Sequence, residues 1–305
     1  MRVLILGIDA LEYDLVKEWN LQHLLQKEHG KVQVPIYEAE GEPVTLVVWP
    51  CFITGAEPEV MGYSSPILYR QPLRFILDYL FYPIYSFIKE NQEKSKSIDF
   101  KQTRIQKIIS KLNYKAMKAG FSRYPLKHDI KVPTIFDSEQ FRSIHLHIPV
   151  YDESHTLDKH CNPRNNVIAA LSDKTVRKEF SASLQQEFDE RAQEVFDILQ
   201  QDDWDLFMQY FYVLDGIQHV FFKNKLKIMD YYMKFNTFVG EVLQKIPDDM
   251  LVLIISDHGQ KHGLHTMYGF YSSNVPLTLD NPRISEFKKI LEDKLSISRK
   301  KRENL

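Results

Sequence analysis

The sequence has little cysteine, little net charge and no long apolar run, and each shortage excludes a class of protein. Two cysteines among 305 residues, Cys51 and Cys161, cannot build a disulfide framework, which favours a reducing compartment. A net charge of −2 gives no electrostatic footprint for nucleic acid as a principal partner. No apolar run approaches the roughly 18 residues of a membrane span, and Asp9 ends the N-terminal run too early for a signal peptide. We therefore expect a cytoplasmic protein.

Three short apolar segments are each followed closely by an aspartate. They are residues 2–8 before Asp9, 206–214 before Asp215, and 251–255 before Ser256 and Asp257. Mainly apolar runs of this length, of which 251–255 is uninterrupted, predict strands that are buried on both faces, as in parallel sheets covered by helices. Helical patterns such as residues 173–200 alternate with the strands. The predicted fold class is therefore α/β, a three-layer α/β/α sandwich with a mostly parallel central sheet.

Four histidines stand close in sequence to these aspartates. They are His219, four residues after Asp215, His258, directly after Asp257, and His262 and His265 in the loop beyond. Ligands of open α/β sheets bind at the carboxyl ends of the strands, so we expect these side chains to meet there. Carboxylates and imidazoles together suit Zn²⁺, with Mn²⁺ or Fe²⁺ as alternatives. Taken singly, Asp9 could instead cap the helix expected after it, and a histidine beside a buried aspartate could be structural.

A hydroxyl joins this pattern at Thr45. Pro50 suits the first turn of a short helix and Gly55 suits its end, so we predict that Thr45 lies in the loop before that helix. There its hydroxyl could face a metal ion, and the amides of the helix end could bind an anion. The alternative is a loop threonine that makes only backbone hydrogen bonds.

Composition divides the chain into segments. Residues 66–130 are rich first in aromatic and then in polar side chains, and they repeat neither the strand-end pattern nor the ligand pattern. We predict that they form a mostly helical cap, inserted into a core domain made of residues 1–65 and 131–283. Residues 284–305 are predicted to form a C-terminal helix and a basic tail. The aromatic stretch 73–88 could alternatively lie on a membrane surface, although it has too few charges for a polar face.

The motifs follow one another in a definite order. They are Gly-Ile-Asp9, the Thr45 loop ending in Thr54-Gly55-x-x-Pro58-Glu59, Asp215-x-x-Gln-His219, and Ser256-Asp257-His258-Gly259. In this order and spacing the chain resembles the alkaline phosphatase superfamily and, within it, the type I phosphodiesterase/nucleotide pyrophosphatase branch. The motifs span residues 7–265, and the insertion at 66–130 has no counterpart that we can place. Each motif is weak alone, but the four in order are fairly specific.

The resemblance implies two divalent metal ions and a set of ligands for each. One ion would be held by Asp9, Thr45, Asp257 and His258, and the other by Asp215, His219 and His265. We prefer His265 to His262 because the last ligand of the family tends to precede a segment like Thr266-x-Tyr268-Gly269-Phe270. The implied reaction is hydrolysis of a small-molecule phosphoester by a metal-activated Thr45, through a phosphothreonine intermediate, with Zn²⁺ as the expected metal.

The chain also departs from the better-known eukaryotic members. Those carry an asparagine three residues after the nucleophile, where this chain has Val48, and a histidine after the Pro-Glu pair, where Met61 stands nearby. Nucleotide preference therefore does not follow from the resemblance. Cys51 lacks the Cys-x-Pro-x-Arg context of the related sulfatases, and the insertion looks too short for a cofactor-independent phosphoglycerate mutase.

Two other functions stay open at this point. A non-catalytic or narrowly specific relative could bind a phosphorylated ligand with the same fold; the missing asparagine favours it, and the retained ligands and hydroxyl argue against it. The aromatic stretch 73–88 alone suggests a phosphodiesterase of membrane lipids.

Overall fold

The computed structural model describes residues 2–37, 41–63, 68–69, 122–152 and 163–303. The chain divides into two compact units, one made of Met1–Ser64 and Leu126–Leu305 and the other of Ser65–Pro125. Most of the predicted helical cap and the whole aromatic stretch 73–88 lie outside the described residues, so their structure stays a prediction. Within the described ranges, no helix is long and apolar enough to cross a membrane.

Helices and strands are mixed along the described parts of the chain. In order they are β1 (Val3–Ile8), α1 (Tyr13–Glu18), α2 (Gln22–Leu25), β2 (Glu28–Gln33), α3 (Thr45–Thr54), α4 (Pro58–Met61), β3 (Leu68–Tyr69), β4 (Ser122–Arg123), β5 (Ser143–Leu146), α5 (Pro163–Ser172), α6 (Lys174–Leu199), β6 (Leu206–Phe211), α7 (Val213–Phe221), α8 (Lys225–Lys245), β7 (Leu251–Ser256), β8 (Gln260–Lys261), β9 (Leu264–His265), β10 (Tyr268–Ser273) and α9 (Phe287–Glu303).

Six strands form the central sheet in the order β2-β10-β7-β1-β6-β5. β7, β1, β6 and β5 are parallel, whereas β10 runs antiparallel to both β7 and β2. Every residue of β1, β6 and β7 is buried, which explains why these segments are almost entirely apolar in the sequence. The predicted α/β fold with a mostly parallel central sheet is confirmed.

Helices cover both faces of the sheet. On one face, Leu4, Leu6 and Ile8 of β1 belong to a hydrophobic core that also contains residues of α1, α2, α6, α7 and α8. On the other face, Gly7 lies against the indole of Trp49 in α3. Because successive side chains of a strand point to opposite faces, β1 separates the two helical layers.

Helix α3 begins before the point that the sequence predicts. It starts at Thr45 and contains Pro50, which the sequence places in the first turn, while Gly55 ends it with φ 67° as predicted. A proline has no N–H, so the Leu46 carbonyl loses its helical donor. The hydroxyl of Tyr63 donates to that carbonyl at 2.9 Å instead. Thr45 is therefore the first residue of a helix and not a loop residue.

The strand before Asp215 is shorter than predicted. β6 ends at Phe211, and Val213 and Leu214 already belong to α7, where they are buried in the core. Burial produces the same apolar run in a strand and in a covered helix, so the sequence pattern does not show where one ends and the other begins. Asp215 consequently lies in the first turn of α7 and not directly at a strand end.

The close approach of α3 to β1 gives a first prediction. A Cβ at Gly7 would lie 2.8 Å from Cη2 and 3.0 Å from Cζ3 of Trp49. Gly7→Ala is therefore expected to lower the free energy of unfolding by about 1–3 kcal/mol through overpacking, measured by equilibrium denaturation. Trp49→Phe removes the ring atoms at this contact, so the losses in the double variant should be smaller than their sum. If the two losses of unfolding free energy were additive, the contact between Gly7 and Trp49 would not be what limits how closely α3 packs on β1.

Candidate active site

The predicted ligands come from strand ends, from two helices and from one hairpin. Asp9 follows β1, Asp257 and His258 follow β7, Thr45 opens α3, Asp215 and His219 belong to α7, and His265 ends β9. Asp9, Asp257 and His258 are at most 1% exposed. The contacts described below join all seven side chains in one cluster at the carboxyl edge of the sheet.

The hydroxyl of Thr45 lies at the centre of the first group. Its Oγ1 donates to Oδ2 of Asp257 at 2.8 Å. The same oxygen is 3.4 Å from Oδ2 of Asp9 and 3.4 Å from Nε2 of His258. One hydroxyl, two carboxylates and one imidazole therefore converge, and these are the four side chains that the resemblance assigns to one metal ion.

The second group contains one carboxylate and two imidazoles. Nε2 of His219 is 3.1 Å from Oδ1 of Asp215 on the same face of α7. Nε2 of His265 is 3.2 Å from Nε2 of His219 and 3.8 Å from Oδ1 of Asp215. Three donor atoms thus surround one small volume, within 4.8 Å of one another. His262 lies outside this group, exposed in the turn between β8 and β9.

The two groups adjoin each other through Asp215. Donor atoms of Asp9, Asp215 and His258 also lie within 4.8 Å of one another, and all three residues are buried. The imidazoles of His258 and His265 stack with their centroids 3.9 Å apart. Asp215 therefore faces both groups, although the resemblance assigns it to only one of them.

Burial and mutual repulsion set the electrostatics of the first group. Burial raises the pKa of Asp9 well above its ordinary value, and the charges of Asp257 and Asp215 raise it further. Burial lowers the pKa of the His258 imidazole, although neighbouring carboxylates oppose this. In the absence of a cation, the site therefore favours a protonated Asp9 and a neutral His258.

In the second group, neighbouring charges outweigh burial and favour the ionised carboxylate. Burial alone would raise the pKa of Asp215, but the imidazoles of His219 and His265 outweigh it, and the pKa of this carboxyl is lowered. Asp215 therefore stays ionised, which suits a ligand for a cation.

The donors fit divalent cations. Oδ1 of Asp9 and Oδ1 of Asp215 are buried and accept no hydrogen bond from the residues that the structure describes. Each lies within 4 Å of an imidazole Nε2 at the centre of the cluster. Buried carboxylate oxygens normally have partners, so these two are available as ligands. Carboxylate, imidazole and hydroxyl donors in this arrangement suit Zn²⁺, Mn²⁺ or Fe²⁺.

Two supporting residues were not expected from the sequence. Tyr210 of β6 donates its hydroxyl to Oδ2 of Asp9. Glu12, directly before α1, is fully buried and accepts from the hydroxyls of Tyr268 at 2.8 Å and Thr266 at 3.0 Å, which connects the start of α1 to the segment that leads from β9 into β10. A tyrosine in an apolar strand is a weak sequence signal, because a buried phenol needs a partner. Nothing in the sequence around Glu12 indicates its burial.

Two further histidines, His145 and His147, contact carboxylates that do not belong to the cluster. Nδ1 of His145 is 2.8 Å from Oδ1 of Asp152, and Nε2 of His147 is 2.9 Å from Oε2 of Glu194. Each imidazole thus faces a different carboxylate.

The remaining positions singled out in the sequence are inside the protein. Val48, Cys51 and Met61 are all fully buried. Burial also raises the pKa of the Cys51 thiol, so this side chain is not an activated nucleophile.

The fold and the site define a class: an α/β protein in which carboxylates, imidazoles and one hydroxyl meet at the carboxyl edge of a parallel sheet. The family model described as type I phosphodiesterase / nucleotide pyrophosphatase matches residues 3–271. The chain belongs to this family, and the resemblance predicted from the sequence is confirmed. The family name describes hydrolases of phosphoester and pyrophosphate bonds.

Solved structures with similarity to the chain share little of its sequence. Murine ectonucleotide pyrophosphatase/phosphodiesterase 5 is 12% identical over 85% of this chain and 57% of its own, with a TM-score of 0.45. The PH0037 protein from Pyrococcus horikoshii is 12% identical over 97% of both chains, with a TM-score of 0.44. This chain thus spans 57% of the murine protein. No curated protein matches it.

The raised pKa of Asp9 gives a second prediction. With metal removed by chelation, Asp9→Asn should stabilise the protein, because ionising Asp9 in the folded state costs free energy while an asparagine carries no charge. The stability of the wild type is retained below the ordinary aspartate pKa of 3.8 and is lost as the pH rises through the raised pKa. The variant's advantage should therefore grow with pH, to on the order of 1–3 kcal/mol at neutral pH. Thermal unfolding at several pH values measures it.

Asp248→Asn is the matched control, since it makes the same change at an exposed position. It should alter stability by no more than about 0.5 kcal/mol. Saturating Zn²⁺ should stabilise the wild type more than Asp9→Asn. A chelated Asp9→Asn protein that is less stable than the wild type at neutral pH would contradict the prediction.

Proposed function

We propose that this chain is a metal-dependent phosphoester hydrolase in which Thr45 is the nucleophile. The supporting observation is the position of Thr45 Oγ1, 2.8 Å from Asp257 and 3.4 Å from both Asp9 and His258. Thr45 is also the first residue of α3. Amides in the first turn of a helix lack helical acceptors and attract anions, so a phosphoryl group can be held beside the hydroxyl.

The proposed ligand sets follow the two groups of side chains. Asp9, Thr45, Asp257 and His258 would hold one ion, and Asp215, His219 and His265 would hold the other. Bound divalent cations, Zn²⁺ by preference, would lower the pKa of the threonine hydroxyl and polarise the phosphoryl oxygens. Three carboxylates offset most of the charge of two such ions.

The reaction proposed for Thr45 is a double displacement. Oγ1 forms a bond to phosphorus as the bond from phosphorus to the leaving oxygen breaks, and the leaving oxygen takes the electron pair. The hydroxyl proton is directed at Oδ2 of Asp257, its acceptor at 2.8 Å. The proton taken up by Asp257 passes to the leaving oxygen. Water then attacks the phosphothreonine and its OH stays on phosphorus; the phosphorus–Oγ1 bond breaks, and Oγ1 takes the proton that the water loses. This matches the chemistry that the family name describes.

The alternative is a relative that binds a phosphorylated ligand and does not turn it over. Val48, where the eukaryotic members carry an asparagine, favours this alternative, because a buried valine offers no donor to a phosphoryl oxygen. The retained hydroxyl and its contacts favour hydrolysis. A small-molecule phosphoester is the proposed partner in both cases.

Substitution of Thr45 tests the nucleophile. Thr45→Val keeps the shape of the side chain without the hydroxyl, so turnover of p-nitrophenyl phosphate and bis-p-nitrophenyl phosphate should fall by on the order of 10³-fold or more. Thr45→Ser keeps a hydroxyl and should retain part of the activity. Rates are measured after chelation and re-addition of Zn²⁺ or Mn²⁺, with bound metal counted by mass spectrometry.

A trapping experiment separates the two candidate functions. Acid quenching of the wild type during turnover should leave a phosphoryl group on Thr45, detectable by peptide mass spectrometry, and Thr45→Val should carry none. A wild type that binds both ions but turns over neither ester would support the binding role. A wild type that binds no metal would rule out both ligand sets.

A further inference from the structure

Gln260 connects the β8–β9 hairpin to helix α7. It is 2% exposed and lies in β8, two residues after His258. Its side-chain Nε2 is 2.9 Å from Nδ1 of His219. Its Oε1 is buried and accepts no hydrogen bond from any residue that the structure describes. A buried amide oxygen without a donor is costly, so this one calls for a physical explanation.

The three imidazoles of the cluster share one orientation. In each of them Nε2 faces the other ligand atoms and Nδ1 faces away. Nδ1 of His258 lies 3.2 Å from the Gly259 carbonyl, and Nδ1 of His265 lies 3.2 Å from the Pro43 carbonyl. A carbonyl can only accept, so each of these two rings carries a proton on Nδ1 and offers the lone pair of Nε2 to a cation.

His219 has a different neighbour at Nδ1 because of its place on a helix. The carbonyls of a helix interior already accept from the following turn, so they are not available to a side chain of α7. The side-chain amide of Gln260, which belongs to β8, takes the place of a backbone carbonyl beside Nδ1 of His219. Gln260 is the one of these Nδ1 partners that can either donate, through Nε2, or accept, through Oε1.

We propose that Gln260 is a positioning residue that sets the tautomer of His219 and turns its amide when metal binds. In the structure, Nε2 of Gln260 donates to Nδ1 of His219, which places the His219 proton on Nε2, the nitrogen that faces the other ligand atoms. For a cation to bind, the proton must move to Nδ1. A half-turn of the carboxamide then brings the unpartnered Oε1 to accept it. This inference rests on the proposed function.

The consequence is specific to one of the two ions. Orienting partners of this kind change metal affinity by about 10–100-fold. Loss of the Gln260 amide should therefore weaken the ion held by Asp215, His219 and His265 by that factor. The ion held by Asp9, Thr45, Asp257 and His258 should keep its affinity, because the Nδ1 partner of His258 is a backbone carbonyl.

The test is a Zn²⁺ titration of the chelated full chain in competition with a chromophoric chelator. Gln260→Met keeps the length of the side chain without the amide, and Gln260→Glu keeps an acceptor. Gln209→Met is the matched control, because Gln209 is fully buried, has an unpartnered Oε1 and contacts Glu194 instead of the cluster. We expect one of the two ions to bind about 10–100-fold more weakly in Gln260→Met, and neither to weaken in Gln260→Glu or Gln209→Met.

A spectroscopic readout separates tautomer control from a merely structural role. In the zinc-loaded wild type, the Nδ1–H of His219 should give a slowly exchanging imidazole proton resonance in histidine-labelled protein. Gln260→Met should lose it, and Gln209→Met should keep it. Affinities within twofold of the wild type in a folded Gln260→Met, or a weakened ion in Gln260→Glu, would overturn the inference. A wild type that binds no zinc would overturn the proposed function itself.

Discussion

The site depends on the convergence of three buried carboxylates. Asp9, Asp215 and Asp257 meet where water has been removed, so each charge raises the free energy of the others. Hydrogen-bond donors around them offset part of this cost. The hydroxyl of Tyr210 donates a hydrogen bond to Asp9, and the hydroxyl of Thr45 donates one to Asp257. They do not offset all of it, because the pKa of Asp9 stays raised and two carboxylate oxygens stay unpartnered among the described residues. A cation would satisfy both, and this is the physical reason to expect metal here.

The sheet accounts for part of this convergence and packing for the rest. β1 lies between β7 and β6 in parallel register, which brings Asp9 next to Asp257 without any loop. Thr45 arrives from the other layer, because Gly7 leaves room for Trp49 and α3 can lie close to β1. His265 arrives on a hairpin whose base is held by hydrogen bonds between Gly259 and Thr266.

The sequence predicted best what is local. Asp9, Asp257 and His258 directly follow buried strands, and strand and ligand are visible in one short segment. The sequence predicted less well where an apolar pattern fits both a buried strand and a buried helix. Residues 206–214 were predicted to be one strand for that reason, although they contain the end of β6 and the start of α7. The prediction from Pro50 placed the start of α3 too late. Pro50 is tolerated inside the helix because the hydroxyl of Tyr63, thirteen positions further along the chain, replaces the missing N–H. Partners such as Tyr210 and Gln260 depend on contacts between distant segments, which no spacing shows.

The two ligand groups differ in how firmly the fold holds them. The first is carried by two central strand ends and by the first residue of a packed helix, so its geometry exists once the sheet has formed. The second depends on the β8–β9 hairpin for two side chains: His265, a proposed ligand, and Gln260, the partner of His219. Binding of a cation to this group would therefore stabilise the position of the hairpin, and the hairpin would in turn favour binding. A cation in the first group would bind where strand ends and α3 already place the side chains, whereas a cation in the second group would also link the hairpin to α7.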